Sequence, residues 1–70
     1  MSNNTEKIKL MYPKGTRLRL IAMDDPFPIE HGTTGSVNFV DDAGQIHMYW
    51  DDGRSLALVP GVDKFEIIND

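Results

Sequence analysis

The sequence predicts an all-β domain. Beyond residue 16, apolar side chains fall at every second position in five short runs, as strands with one buried face require. Clusters of Gly, Pro and Asp punctuate those runs every eight to twelve residues. The length of 70 residues allows one domain.

Residues 17–22 form the first strand, with Leu18, Leu20 and Ala22 on one face. Residues 23–33 hold Pro26, Pro28 and Gly32, which strand interiors disfavour, and read as a long loop. Residues 35–40 form a second strand, inward at Val37 and Phe39, and the chain then turns at residues 41–44. Residues 45–50 form a third strand, inward at Ile46, Met48 and Trp50. After the Asp51-Asp52-Gly53 turn, residues 55–59 form a fourth strand, inward at Leu56 and Leu58. Residues 60–63 make a short turn, and residues 64–68 a last strand, inward at Phe65 and Ile67.

Residues 1–12 read in two ways. Asn3 and Glu6 have the spacing of a capping box, which starts a helix over residues 4–12 with Ile8, Met11 and Tyr12 on one face. Alternation of Ile8, Leu10 and Tyr12 fits an extended arm instead. Pro13, Lys14 and Gly15 end either one.

Parity selects the hairpin registers. A two-residue Asp52-Gly53 turn would put Leu56 and Leu58 on the face opposite to Ile46 and Met48. A three-residue loop, 51–53, with Gly53 in the left-handed conformation, pairs Met48 with Leu56 and Ile46 with Leu58, so that all four share a face. A four-residue loop over 41–44 pairs Val37 with Met48 and Phe39 with Ile46. An open sheet this small leaves one face bare and two edges exposed. Closing it gives a five-stranded SH3-like barrel over residues 13–70, preceded by the short N-terminal helix or arm over 1–12.

A chain of this size buries roughly 60% of its unfolded surface, which leaves little volume for an enclosed active site. It has no cysteine, hence no disulfide and no thiolate chemistry, and this suits a reducing compartment. Its apolar runs fall far short of the roughly 20 residues that span a bilayer, and residues 1–6 lack the apolar stretch of a signal peptide, so a cytoplasmic location is expected. The net charge of −4 is unevenly spread. Residues 1–20 carry Lys7, Lys9, Lys14, Arg17 and Arg19 against Glu6, a balance of +4. Residues 21–70 carry Arg54 and Lys64 against ten acids, a balance of −8. The favoured reading is that the basic start folds against the acidic remainder; the alternative is contact with a phosphate backbone.

The motifs Tyr12-Pro13-x-Gly15-Thr16, Met23-Asp24-Asp25-Pro26, Gly32-Thr33-x-Gly35-x-Val37, Val40-Asp41-Asp42-x-Gly44 and Trp50-Asp51-x-Gly53-x-Ser55-Leu56 occur in that order. Together they resemble an uncharacterised family of small bacterial and phage or mobile-element proteins, a domain of unknown function. The resemblance runs from about Tyr12 to Ile68. That family commonly has Asn where this chain has Asp52. More distantly, Gly32-x-x-Gly35-x-Val37 is similar to the glycine pattern of SH3-like barrels in ribosomal and transcription proteins. The resemblance implies the barrel and no activity.

Three Asp pairs, 24–25, 41–42 and 51–52, are candidate ligands for a hard cation. The pairs at 41–42 and 51–52 lie at opposite ends of the third strand, about 20 Å apart at ~3.3 Å per residue, and cannot share an ion. Asp also favours turns through bonds to its own backbone, and that reading is preferred. No metal and no cofactor are expected. Neither His31 nor His47 stands at a motif spacing from a nucleophile, and no phosphate-cradling loop is present, so no enzyme is expected.

Exposed aromatics are the better signal. Tyr49 and His47 alternate outward on the third strand, and Phe27 lies between two prolines in the long loop. In SH3-like barrels that loop borders a peptide groove. The expected site is therefore an acidic, aromatic-bordered surface made by Asp24, Asp25, Phe27, Tyr49, Trp50, Asp51 and Arg54. The competing reading has Phe27 plugging the open barrel end and Tyr49 shielding sheet backbone. The expected function is recognition of a protein or peptide, basic or proline-containing. The alternatives are nucleic-acid binding through Lys7, Lys9, Lys14, Arg17 and Arg19, with Tyr12 or Tyr49 stacking on bases, and self-association through sheet edges. No membrane partner is expected, and the chain is expected to be a monomer or weak homodimer.

Overall fold

The computed structural model describes residues 4–69. Helix α1 (Asn4–Met11) opens it, so the helical reading of this segment holds; Asn3 of the capping box lies outside the described residues. The helix leans on the strand over residues 34–40 through a narrow contact. Ile8 and Tyr12 pack against the core, while Met11, expected on the same face, is 56% exposed.

Strands β1 (Arg17–Ala22), β2 (Thr34–Val40), β3 (Ile46–Trp50) and β4 (Lys64–Ile67) form one antiparallel sheet in the order β3-β2-β1-β4. Alternation sends Leu18, Leu20, Val37, Ile46, Met48 and Trp50 to one face, where Val40, Ile29 and Leu58 complete the buried core. No helix among the described residues is long and apolar enough to cross a membrane.

The expected closed barrel of five strands is corrected to an open sheet of four. Residues 54–58 meet β3 backbone to backbone at two points. Leu58 exchanges both backbone hydrogen bonds with Ile46 at 2.8 Å, and the Trp50 N–H donates to the Arg54 carbonyl at 2.9 Å. The three-residue loop holds, with Gly53 at φ 93°, and so does the Ile46–Leu58 pair. The Met48–Leu56 pair does not form. The Trp50 indole Nε1–H donates to the Leu56 carbonyl at 2.8 Å, which draws that carbonyl away from the Met48 amide. The segment bows off the sheet and leaves a shallow groove of about 490 Å³ beside His47, Arg54 and Leu56.

Two bulges account for the misplaced inward residues. Val37 pairs with Met48 as expected, but Phe39 then pairs with His47 and Val40 with Ile46. Asn38 is the extra residue, so Phe39 turns outward, half exposed, and Val40 takes the buried position. On β1, Ile21 is the extra residue between the Leu20–Phe65 and Ala22–Lys64 pairs, and Ala22 is exposed rather than inward. Phe65 packs against the core edge-on to Tyr12, with ring centroids 5.5 Å apart, whereas Ile67 is 53% exposed at the free edge of the sheet.

The Gly32-x-x-Gly35 pair has two separate causes. Gly32 adopts φ 90°, a conformation that L side chains disfavour. Gly35 lies flat against β3: a Cβ there would stand 2.8 Å from the Tyr49 carbonyl oxygen and 2.9 Å from the Trp50 ring.

Candidate functional site

The loop over residues 23–33 joins the end of β1 to the start of β2 and is tied down at each stage. Gly32 N–H donates to the Leu20 carbonyl and Leu20 N–H to the Thr33 carbonyl, at 2.8 and 2.9 Å, closing its base. Ile29, 2% exposed, enters the core. At the start of the loop, the Asp24 N–H donates to Asp63 Oδ1 at 3.1 Å, and Val59 N–H donates to Asp63 Oδ2 at 2.8 Å. One buried carboxylate thus joins the loop to the turn before β4.

The tip is held by its backbone. Phe27 N–H donates to Asp25 Oδ1 at 2.9 Å, a local turn of the kind Asp favours. The Arg54 guanidinium reaches across from the 51–54 turn and donates to the Phe27 carbonyl at 2.6 Å and the Pro28 carbonyl at 2.9 Å. Arg54 is itself placed by its own N–H, which donates to Asp52 Oδ1 at 2.9 Å. Pro26 and Pro28 fix φ on either side of Phe27. The outcome is a pinned tip with the Phe27 ring 78% exposed. Ile29, not Phe27, is the plug.

Asp24, Asp25, Phe27 and Arg54 are therefore brought together as the sequence suggests. Trp50 is not part of that surface: at 3% exposure it is a core residue whose indole N–H is satisfied by Leu56. Asp51 faces the sheet instead. It accepts from Arg17 Nη1 and Nη2 at 3.0 and 2.6 Å and from the Thr34 hydroxyl at 2.6 Å. Tyr49, 58% exposed, lies on the same outer face, opposite Ser36.

The basic residues of the first twenty positions do fold against acids. Lys9 pairs with Asp42 at 3.0 Å, Arg17 with Asp51 and Arg19 with Glu66 at 2.9 Å. Lys7 and Lys14 stay exposed. Among the described residues, no three carboxylates or histidines converge closely enough to hold a metal ion. His47 Nε2 meets Asp41 Oδ2 at 2.8 Å, and its ring stacks on Phe39 at 4.3 Å between centroids.

Two carboxyls are shifted. The hydrogen bonds from Arg17, then from Thr34, lower Asp51 from 3.8 to about 2. The hydrogen bond from His47, and then that from the Gln45 amide, lowers Asp41. A carboxyl whose folded value lies below its unfolded one stabilises the fold above the unfolded value, and that contribution is lost as pH falls through the folded value. The Asp51 contribution is thus complete above about pH 4 and fades towards pH 2. In a pH series of thermal melts, Asp51→Asn is expected to fall less than the parent protein across this window, with a residual fall from Asp41. Equal falls would mean that the Arg17–Asp51 contact adds nothing, as solvent screening of an exposed pair allows.

Asp63 and Ile29 escape sequence reasoning. Asp63 is one of eleven acids with no distinctive spacing, and Ile29 is a lone apolar residue among polar and proline neighbours. The stacked Phe39–His47 pair was hidden by the Asn38 bulge.

In comparisons with known proteins, the family model described as "Domain of unknown function (DUF4314)" matches residues 1–68. No curated protein and no solved structure matches the chain.

Proposed function

The chain belongs to the DUF4314 family, and for it we propose the role of a non-catalytic protein-recognition module anchored by Phe27. The observation that carries this reading is the pinning of the Pro26-Phe27-Pro28 tip by Arg54 while the ring stays 78% exposed. An apolar ring held in water on a backbone fixed by three hydrogen bonds gains nothing for folding. It loses little entropy on docking, which is what a binding anchor needs. Asp24, Asp25, Glu30 and Asp52 lie in the loop and the adjoining turn, so the partner surface that suits it is an apolar pocket rimmed by Lys and Arg. The site acts as a projecting anchor rather than as a groove that receives a peptide, and Tyr49 is a secondary contact at most.

The pairing of Lys9, Arg17 and Arg19 with acids supports a protein partner over nucleic acid. Tight capture of a labelled oligonucleotide, with steep loss on adding salt, would reverse that order. The strand neighbours support a partly opened SH3-like roll, since residues 55–59 lie beside β3 and the last strand lies beside β1. The absence of cysteine supports a cytoplasmic setting, and the motif resemblance supports a bacterial or mobile-element origin.

The test compares the parent protein with Phe27→Ala in co-purification from the native host and in thermal melting. Phe27→Ala is expected to lose the partner by about tenfold or more, the scale of a hot-spot residue, with its melting midpoint unmoved. Undiminished recovery of the same partner by Phe27→Ala would sink the proposal.

A further inference from the structure

The two ends of the sheet carry surfaces that suit each other. The 23–33 loop lies beyond the end of β1. At the other end, some 20 Å away at ~3.3 Å per strand residue, is a groove of about 410 Å³ lined by Lys9, Tyr12, Pro13, Lys14 and Phe39. The Asn38 bulge turns Phe39 into this groove, and the stack on His47, with ring planes 4° apart, fixes the ring there. No acid lines the groove. Lys9 is held by Asp42, and Lys14 stands in none of the ion pairs among the described residues. One end is thus an aromatic tip that follows Asp24 and Asp25 and is clamped by Arg54, and the other an aromatic-walled groove where Lys14 is the unpaired cation and Lys9 is paired with Asp42.

We propose that the Phe27 tip of one copy seats in the Lys9–Lys14–Phe39 groove of a second copy, so that the protein assembles head to tail. The proposal rests on Phe27 being an anchor and names one occupant for its counterpart. The aromatic walls match the Pro-Phe-Pro tip, where offset or edge-on ring contacts add to the area buried. Asp24 and Asp25 immediately precede the tip, and Lys14 is the unpaired cation that the groove offers them. Because tip and groove are different patches, the interface is heterologous, and each copy offers one of each. A single ring and a few screened charges make a weak contact, formed at high protein concentration and sensitive to salt.

Sedimentation velocity at millimolar protein tests this. The weight-average mass of the parent protein is expected to rise above the monomer at about 50 mM salt and return towards it at about 500 mM, where the Debye length is a few Å. Phe27→Ala, which keeps the groove, and Lys14→Glu, which keeps the tip, are each expected to be monomeric with unchanged melting midpoints. Mixed in equal amounts they are expected to form a 1:1 heterodimer and nothing larger. Lys9→Glu serves as a second groove variant should Lys14→Glu melt early. A parent protein that stays monomeric, single variants that still self-associate, or a mixture that stays monomeric would each overturn head-to-tail assembly. None of these results touches the Phe27-dependent capture of a different protein, which is measured separately.

Discussion

Trp50→Ala is expected to remove about half of the domain's stability. The side chain is 3% exposed and sits among Leu18, Leu20, Val37 and Met48 in the core. Truncating a buried Trp to Ala costs about 3–5 kcal/mol through lost transfer energy and the cavity left behind. A domain of this length holds roughly 4–10 kcal/mol in total, so the loss takes a large share. Two further effects are specific to this site. The Leu56 carbonyl loses its indole donor at 2.8 Å, and Gly35 loses the ring that covers it. Urea unfolding followed by far-ultraviolet circular dichroism measures the change. Trp50→Phe separates its parts: it keeps most of the bulk, removes the N–H, and is expected to cost about 1–2 kcal/mol more than its smaller volume alone would, because a half-buried carbonyl is left without its donor. A loss below about 1 kcal/mol for Trp50→Ala would contradict a core placement.

Gly35→Ala is the second large effect. One added methyl would stand 2.8 Å from the Tyr49 carbonyl oxygen and 3.0 Å from the Trp50 Cα. Both are backbone atoms of β3, so relief requires the β2–β3 ladder to part rather than a side chain to rotate. Overpacking of this kind costs about 1–3 kcal/mol, and the expected result is a urea midpoint well below the parent's. Gly32→Ala is the control. Nothing stands within 4 Å of its added methyl, and only its φ of 90° resists, so the loss there is backbone strain of about 1–2 kcal/mol. A Gly35→Ala midpoint equal to the parent's would show that β2 and β3 do not approach this closely.

Much of this fold is legible in the sequence because alternation and turn chemistry agree there. Leu18, Leu20, Val37, Ile46, Met48 and Leu58 are all inward as their spacing requires, and the side-chain parity around Gly53 selects the loop that forms. The errors arise where one side chain redirects one backbone group. Asp41 Oδ1 accepts from the Ala43 and Gln45 amides, and the Asp41 N–H donates to the Gln45 carbonyl. That tight turn shifts the end of the hairpin by one residue, and the Asn38 bulge absorbs the slip, reversing Phe39 and Val40. The fourth strand reads correctly in its pattern and fails because an indole outcompetes an amide for one carbonyl. At the candidate site, Phe27 was legible as an aromatic between prolines. Whether it plugs or projects was not, since that depends on Ile29 filling the core and on Arg54 finding two carbonyls 26 and 27 positions away.

The Arg54 clamp grips oxygens that every amino acid possesses. The grip on position 27 is therefore indifferent to the side chain displayed there, much as a socket is indifferent to the lamp. The tip is separable from its scaffold: Trp, Tyr, Leu or Arg in place of Phe27 would stand on the same mount, with the sheet beneath left as it is.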